Sequence, residues 1–262
     1  MTGRLQGTRS TLSFLVVLLW MMGVGAPILY LFVLPLGAFL KGAPRRRLTS
    51  RYMKLVCWGI LSGFRLGGAR FDRRGVLPTV SPSIILMNHQ SLLDIVTTTM
   101  MGSPYVPAFV PRRRYARWYI PLVGGSIWLL QCPVVDPKRD AKGAVDVVRR
   151  AALDHDYGLL VFPEGHRSVD GQVRPFKTAG TLAALSARRL PVYLVVSDGY
   201  WFGRRFVDFF WSVPQIRGVT EVLGPFAPPE AEEDLLPFIE AMRGRIVERL
   251  EERRSTQPHD VA

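Results

Sequence analysis

The chain has 262 residues, which is enough for one sizeable α/β domain and excludes two full catalytic domains. Apolar residues make up 48% of it and charged residues 21%, values that are ordinary for a folded protein. The net charge is +13, from 34 basic and 21 acidic residues, and indicates an anionic partner such as lipid headgroups or nucleic acid.

The first segment in chain order is apolar. Residues 12–40 are mostly Leu, Val, Phe, Met, Trp and Ala, and no charged residue lies between Arg9 and Lys41. A straight helix of this length would exceed the roughly 30 Å hydrocarbon core of a bilayer. Because Pro27 and Pro35 interrupt the run, the sequence predicts either a tilted, kinked transmembrane helix or a bent segment that returns to the same face.

A cleaved signal peptide is the alternative interpretation of this segment. Arg4 and Arg9 would supply its basic region, and Val24, Gly25 and Ala26 would form a small-residue cleavage site. The apolar run continues well beyond that site, which favours a membrane-embedded segment. Basic residues on both sides of the run slightly favour the bent form.

Basic residues concentrate beside the apolar segment. The first acidic residue is Asp72, and the basic residues before it are Arg4, Arg9, Lys41, Arg45, Arg46, Arg47, Arg51, Lys54, Arg65 and Arg70. This placement favours attraction to anionic membrane lipids, worth about 1 kcal/mol per basic residue near the surface. Nucleic acid is the competing partner, but no recognised nucleic-acid-binding motif is present, so we expect none.

The sequence predicts a division into three parts. Residues 49–66 are predicted to form a second helix at the membrane interface, since aromatic residues there lie beside basic ones. Residues 1–68 are therefore assigned to membrane-anchoring helices, residues 69–254 to the catalytic domain and residues 255–262 to a disordered tail. The two cysteines, Cys57 and Cys132, show no paired spacing, so we expect no metal site and no disulfide.

Beyond residue 69, short apolar runs alternate with amphipathic ones. Strands are predicted at residues 83–87, 105–110, 134–135, 158–162, 192–196 and 218–223. Helices are predicted at residues 91–101, 115–119, 141–155, 178–188 and 230–254. The predicted fold class is α/β, with a mixed, largely parallel sheet flanked by helices and an N-terminal membrane-embedded helical segment.

The strongest local pattern is the stretch NHQSLLD at residues 88–94, where an apolar strand gives way to a helix. His89 would lie on the connecting loop and Asp94 on the first helical turn. A carboxylate that holds one imidazole nitrogen fixes the tautomer and lets the other nitrogen accept a proton, so the pair predicts a general base. Alternatively, Ser91 and Asp94 form only a helix-capping box, and His89 is an ordinary loop histidine.

A second pattern, FPEGHRS at residues 162–168, also follows an apolar strand. Gly165 permits close backbone approach, and the planar guanidinium of Arg167 suits the oxygens of a phosphate. Lys177 could add a point charge to the same anion. A plain turn is the alternative interpretation of Pro-Glu-Gly.

Taken together, these patterns resemble the 1-acyl-sn-glycerol-3-phosphate acyltransferase family. The matching stretches are His-x4-Asp at residues 89–94, Phe-Pro-Glu-Gly-x-Arg-Ser at 162–168, Pro-Phe-Lys-x-x-Gly at 175–180 and Leu-Pro-Val at 190–192. In that family the histidine is the general base, the aspartate orients it, and Glu-Gly-x-Arg helps to bind the acceptor's phosphate. The resemblance assigns these roles to His89, Asp94, Glu164, Gly165 and Arg167, and implies a glycerolphosphate acyltransferase-like fold.

The chain departs from the family pattern at two positions. His166 stands where threonine is usual, and Pro137 stands where an arginine is expected after the apolar triplet and Asp136. Lys138 and Arg139 follow directly and can substitute for that arginine, so Arg139 is included among the predicted substrate-binding residues.

The resemblance implies an enzyme that transfers a fatty acyl group to the sn-2 hydroxyl of lysophosphatidic acid, giving phosphatidic acid. Acyl-CoA or acyl-carrier protein would be the co-substrate, and no cofactor is expected. Because no Gly-x-Ser-x-Gly elbow is present, we expect direct transfer without an acyl-enzyme. The alternatives are a different lysophospholipid or lyso-aminolipid acceptor, and a non-catalytic membrane lipid-binding protein. The expected location is the inner membrane, with the catalytic domain facing the cytoplasm.

Overall fold

The N-terminal apolar run forms a continuous helical rod in the computed structural model, which describes residues 2–117 and 119–256. Its α-helical parts are α1 (Thr2–Trp20), α2 (Ala26–Ile28) and α3 (Leu34–Phe39), separated by π-helical turns at Met21–Gly25 and Leu29–Val33. The carbonyl four residues before each proline, Pro27 or Pro35, belongs to a π turn. The wider turn relieves the collision with the proline ring that would break a regular α-helix.

The stretch Gln6–Phe39 is the part of the described chain that is long and apolar enough to cross a membrane, by length and composition. Its buried side chains do not form a separate core. Phe14 and Val33 belong to the same buried cluster as Ile84 and Leu160 of the central sheet. The N-terminal helices therefore pack onto the α/β part of the molecule as well as onto each other.

Helix α4 (Gly42–Leu66) returns antiparallel along α1 and begins before the predicted residue 49. The two helices approach closely because glycine faces the contact: a Cβ atom on Gly59 would lie 2.0 Å from Nε1 of Trp20. One helical turn further along, the Ser13 hydroxyl donates a hydrogen bond to the carbonyl oxygen of Gly63 at 2.8 Å. The predicted N-terminal helical pair is thus a tightly packed hairpin.

Six strands form one sheet in the order β1-β8-β7-β3-β6-β5, and neighbours are parallel except β7 and β8. The remaining two strands, β2 and β4, form a small parallel pair. This confirms the predicted mixed, largely parallel sheet. The strands are β1 (Arg70–Arg74), β2 (Leu77–Pro78), β3 (Ser83–Met87), β4 (Gly102–Ser103), β5 (Ala108–Phe109), β6 (Gly158–Val161), β7 (Val192–Asp198) and β8 (Arg217–Phe226).

Three strand predictions need correction. Edge strand β1 was not predicted, because its sequence RFDRR has no apolar alternation and its partner β8 lies far along the chain. The strand predicted at residues 105–110 shrinks to β5, since Pro107 has no N–H for a ladder. Residues 134–135 contribute an isolated bridge from Val135 to Arg112 rather than a strand.

Helices cover the sheet as predicted for an α/β fold. They are α5 (Leu93–Met101), α6 (Val123–Leu129), α7 (Ala141–Asp154), α8 (Thr178–Ala187) and α9 (Leu235–Thr256). Helix α6 was not predicted, because Gly124, Gly125 and Ser126 are typical of a loop. The helix predicted at residues 115–119 is wrong, since a 3₁₀ turn at Arg113–Tyr115 takes its place.

The predicted disordered tail at residues 255–262 overlaps the end of α9. Ser255 and Thr256 belong to that helix, so the first two residues of the predicted tail are ordered. Residues 257–262 lie outside the described residues.

The close contact at Gly59 predicts a stability effect. Gly59→Ala should lower the free energy of unfolding by about 1–3 kcal/mol, because the new methyl group overlaps the Trp20 ring. Gly23→Ala is the matched control, since a Cβ atom there would meet nothing within 4 Å. Thermal unfolding in detergent micelles measures the difference, and equal stability of the two variants would contradict the close packing.

Candidate active site

Three loops meet at one edge of the sheet. Strands β3, β6 and β7 run parallel, so their carboxyl ends lie together, where α/β sheets expose reactive side chains. His89 follows β3, the segment from Glu164 to Arg167 follows β6, and Ser197 lies at the end of β7. The two sequence patterns, which are 75 residues apart at His89 and Glu164, therefore share one edge.

His89 is held by Asp94 and by an aromatic ring. Its Nδ1 lies 2.8 Å from Oδ2 of Asp94, and the Phe162 ring stacks on the imidazole with centroids 4.0 Å apart. A carboxylate can only accept, so Nδ1 carries a proton, and in the neutral form of the ring the lone pair is on Nε2. In the described part of the chain no protein group hydrogen-bonds Nε2, and 17% of the side chain is exposed. Nε2 is therefore available to accept a proton.

Asp94 is fully buried and accepts from four donors. These are Nδ1 of His89, the backbone amides of Gln90 (2.7 Å) and Ser91 (2.8 Å), and the hydroxyl of Ser197 (2.8 Å). The bonds from the amides of Gln90 and Ser91 are those expected of a carboxylate that caps the start of a helix. The imidazole bond has the geometry that the predicted general-base pair requires.

Two residues that sequence analysis missed hold the β3 loop against β7. The Asn88 amide group donates to the Ser197 carbonyl at 2.7 Å and accepts from the Ser197 N–H at 2.8 Å. This pairing extends the contact between the two strands beyond their ladder. The available signal was weak: a serine at the end of an apolar buried strand.

Glu164 braces two loops from the inside. Its Oε1 accepts from the His89 amide at 2.8 Å, its Oε2 accepts from the Arg174 amide at 2.9 Å, and only 1% of the residue is exposed. Burial raises the pKa of Glu164, and these two backbone hydrogen bonds partly offset the increase. Glu164 was predicted to bind substrate, and in the structure both of its carboxylate oxygens accept hydrogen bonds from backbone amides.

Gly165 lies under a cluster of cations. Its φ of +73° belongs to the left-handed region that favours glycine, and a Cβ atom there would lie 3.1 Å from Nζ of Lys177. The guanidinium of Arg112, a residue that sequence analysis did not select, donates to the Gly165 carbonyl oxygen. The turn therefore brings the cations of Lys177 and Arg112 to the same residue.

Arg167 lies on the loop that is joined to the His89 loop. The amide of the next residue, Ser168, donates to the His89 carbonyl at 2.6 Å. The half-buried guanidinium of Arg167 donates through Nη1 to the carbonyl oxygen of Arg204. Because a guanidinium has five N–H donors, this single bond leaves donors for an anion.

Arg139 is not part of this cluster. It is exposed, and its backbone amide donates to the Asp136 carbonyl at 3.1 Å within a turn. The neighbouring Lys138, and not Arg139, lines a cleft of about 450 Å³. The cleft is also lined by Arg112, Arg113, Arg114, Ala116, Arg117, Val134, Asp136 and Pro137. Within residues 2–117 and 119–256, no cluster of His, Cys, Asp or Glu could hold a metal ion.

Comparisons with known proteins agree with this geometry. Residues 70–197, which include all three loops, match the protein-family model described as Acyltransferase. The chain is 30% identical over 152 residues to 1-acyl-sn-glycerol-3-phosphate acyltransferase alpha of Mus musculus, covering 56% of this chain and 52% of that protein. It is 30% identical over 177 residues to the chloroplastic enzyme LPAT1 of Arabidopsis thaliana, covering 66% of this chain and 44% of that protein.

A solved structure shares the fold. The 1-acyl-sn-glycerophosphate (LPA) acyltransferase PlsC from Thermotoga maritima superposes with a TM-score of 0.63 at 21% identity, covering 95% of this chain and 99% of that one. This likeness confirms the fold that the sequence resemblance implied.

By its match to the family model, the part of the chain from residue 70 to 197 is an acyltransferase domain. The relatives that the chain resembles are 1-acyl-sn-glycerol-3-phosphate acyltransferases, and these similarities support that family for this chain. It spans about half the length of the mammalian relatives it matches.

The brace formed by Glu164 predicts a stability effect. Glu164→Gln places an NH₂ group against the N–H of His89 or Arg174, so one amide loses its acceptor and stability should fall by about 1–3 kcal/mol. The exposed Glu240→Gln is the matched control and should change stability by less than about 0.5 kcal/mol. Denaturant unfolding in detergent measures both, and equal values would show that Glu164 is not a brace.

Proposed function

We propose that the protein transfers a fatty acyl group from a thioester donor to the sn-2 hydroxyl of lysophosphatidic acid, giving phosphatidic acid. The observation that carries this proposal is the His89–Asp94 pair at 2.8 Å, with Nε2 available and cations nearby. The family and the names of the relatives support lysophosphatidic acid as the acceptor.

In the proposed mechanism, Nε2 of His89 accepts the proton of the acceptor hydroxyl as the oxygen attacks the thioester carbonyl. The carbon–sulfur bond then breaks with its electron pair going to sulfur, and the imidazolium gives the proton to the departing thiolate, which leaves as the thiol. Asp94 stabilises the imidazolium, and the Ser197 hydroxyl and two backbone amides hold Asp94 in place. No covalent acyl-enzyme is needed.

The acceptor's phosphate is proposed to bind the cations around Gly165. Arg167 offers a planar fork to the phosphate oxygens, and Lys177 and Arg112 add charge from two other segments. Glu164 contributes by holding the loop rather than by contacting the anion. Arg139, which is exposed and outside this cluster, remains a predicted contributor.

Membrane association is supported by the apolar helix and by the basic residues next to it. We propose that the protein works at the inner membrane with its α/β domain on the cytoplasmic side. Acyl-CoA and acyl-carrier protein are both water-soluble donors, and either could reach a site on that side.

The proposed base predicts the effect of its removal. His89→Ala should lower turnover with lysophosphatidic acid by about 10²- to 10⁴-fold while the protein stays folded. His155→Gln, at the end of α7, is the matched control and should retain turnover. Mass spectrometry of the product from liposome-reconstituted protein measures the rate. A folded His89→Ala protein with full turnover would refute the general-base role.

The proposed phosphate contact predicts a selective effect on acceptor binding. Arg167→Gln should raise KM for lysophosphatidic acid by roughly 10- to 100-fold, the loss of a charged hydrogen bond, with little effect on a monoacylglycerol that lacks the phosphate. Arg150→Gln, which is exposed on α7, is the control for loss of positive charge. Equal changes with both acceptors would exclude a phosphate contact by Arg167.

A further inference from the structure

The connection between β7 and β8 exposes apolar side chains. In residues 203–213, here called the lip, Phe206 and Val207 are each 47% exposed and Trp211 is 56% exposed. Phe209 is 3% exposed and belongs to the hydrophobic core, so it anchors the lip to the rest of the molecule. Large apolar side chains grouped in one exposed segment indicate a contact surface.

The lip is attached to the N-terminal helix. The Thr11 hydroxyl donates to the Phe210 carbonyl at 3.0 Å, and the Val213 amide donates to the Ser10 hydroxyl at 2.9 Å. The Phe14 ring meets the Phe210 ring edge-on, with centroids 4.7 Å apart. The lip is therefore an ordered extension of α1 and not a free loop.

Helix α1 continues the apolar surface away from the lip. Leu12 is 63% exposed, Leu15 45%, Val16 37% and Leu19 72%. Their spacing of three, four and seven residues places them on one face of the helix. Leu12 directly follows Thr11, which bonds the lip, so this exposed apolar face begins one residue from a point where α1 holds the lip.

Basic residues border this surface. Arg204 and Arg205 lie near the start of the lip. The Arg205 side chain is 64% exposed, and its Nε lies 3.3 Å from Oδ1 of Asp208. Tryptophan and phenylalanine beside arginine are typical of segments that lie at the headgroup level of an anionic bilayer. The positive charge and the attachment to the apolar helix favour a lipid surface as the partner.

The lip also contacts the candidate active site. Arg167 donates to the carbonyl oxygen of Arg204, and the Ser91 hydroxyl donates to the carbonyl oxygen of Gly203. One segment therefore touches the N-terminal helix, the loop of His89 and the arginine proposed to bind phosphate. Its position relative to the membrane would set the height of that arginine.

We propose that the lip is a second membrane contact, which inserts Phe206, Val207 and Trp211 into the headgroup region of an anionic bilayer and so fixes Arg167 at headgroup level. The insertion itself is independent of the enzymatic activity. Its consequence for the acceptor rests on the proposed function.

Spin labelling of the full-length chain tests the insertion directly. Val207→Cys can be labelled selectively because the native Cys57 and Cys132 are both buried. Leu236→Cys, on α9, is the matched control, since Leu236 is 45% exposed against 47% for Val207. The probe is a liposome of phosphatidylcholine with phosphatidylglycerol into which the protein is reconstituted.

We expect the label at position 207 to be accessible to oxygen and protected from a water-soluble nickel complex, and the label at position 236 to be fully accessible to nickel. Equal nickel accessibility at the two positions would overturn the proposal. This result does not depend on whether the protein transfers acyl groups.

A kinetic experiment tests the consequence for the acceptor. The double variant Val207→Ser/Trp211→Ser should raise the apparent KM for lysophosphatidic acid in vesicles by roughly tenfold, because apolar area no longer enters the bilayer. Turnover of a short-chain, monomeric lysophosphatidic acid should stay within about twofold of the wild-type value. This acceptor reaches the site from water, so its turnover does not depend on contact between the lip and the bilayer. Leu153→Ser/Leu236→Ser is the control, since both residues are exposed elsewhere.

An equal loss with the vesicle and monomeric acceptors would overturn the proposed link between lip and acceptor. Absence of acyl transfer by the wild-type protein with every acceptor would instead refute the proposed function. In that case the spin labels alone decide whether the lip contacts the membrane.

Discussion

The buried carboxylate of Asp94 is the constraint on which the rest of the site depends. A charge removed from water must be matched by donors, and the chain supplies them from the β3 loop and from β7. The remaining donor is the imidazole of His89, so satisfying the carboxylate also fixes the tautomer and direction of the base. The same hydrogen bonds to Asp94 therefore stabilise the loop after β3 and orient the imidazole for the proposed proton transfer.

Acidic and basic residues have different places around this centre. Asp94 and Glu164 are turned inward and bind backbone amides, so they organise loops. Arg112, Arg167 and Lys177 lie around the outer side of the same loops, and each of the two arginines donates to a carbonyl oxygen. Positive charge therefore lies around the loop that is joined to the loop of His89, which suits the proposed anionic acceptor.

The membrane-facing part of the molecule is continuous with this centre. The helical hairpin shares the hydrophobic core of the sheet, and the segment between β7 and β8 joins α1 to the loops of His89 and Arg167. Rigid packing of this kind transmits the position of the apolar surface to the site. Under the proposed function, a lipid acceptor that stays in its bilayer would meet the imidazole of His89 at a fixed height above the membrane.

The sequence by itself determined the features that are local along the chain. These are the apolar N-terminal run, the buried strands before each motif, and the selection of His89, Asp94 and Arg167 as candidate site residues. Hydrophobic runs and motif spacing need no knowledge of distant partners. Only the tertiary structure decided the roles of Ser197 and Arg112, the inward position of Glu164 and the existence of β1. The roles of Ser197 and Arg112 depend on contacts between residues that are far apart in the sequence. Ser197 is 103 residues from its partner Asp94, and Arg112 is 53 residues from its partner Gly165. A hydrogen bond between such residues leaves no periodic trace, because the fold alone brings its donor and acceptor together.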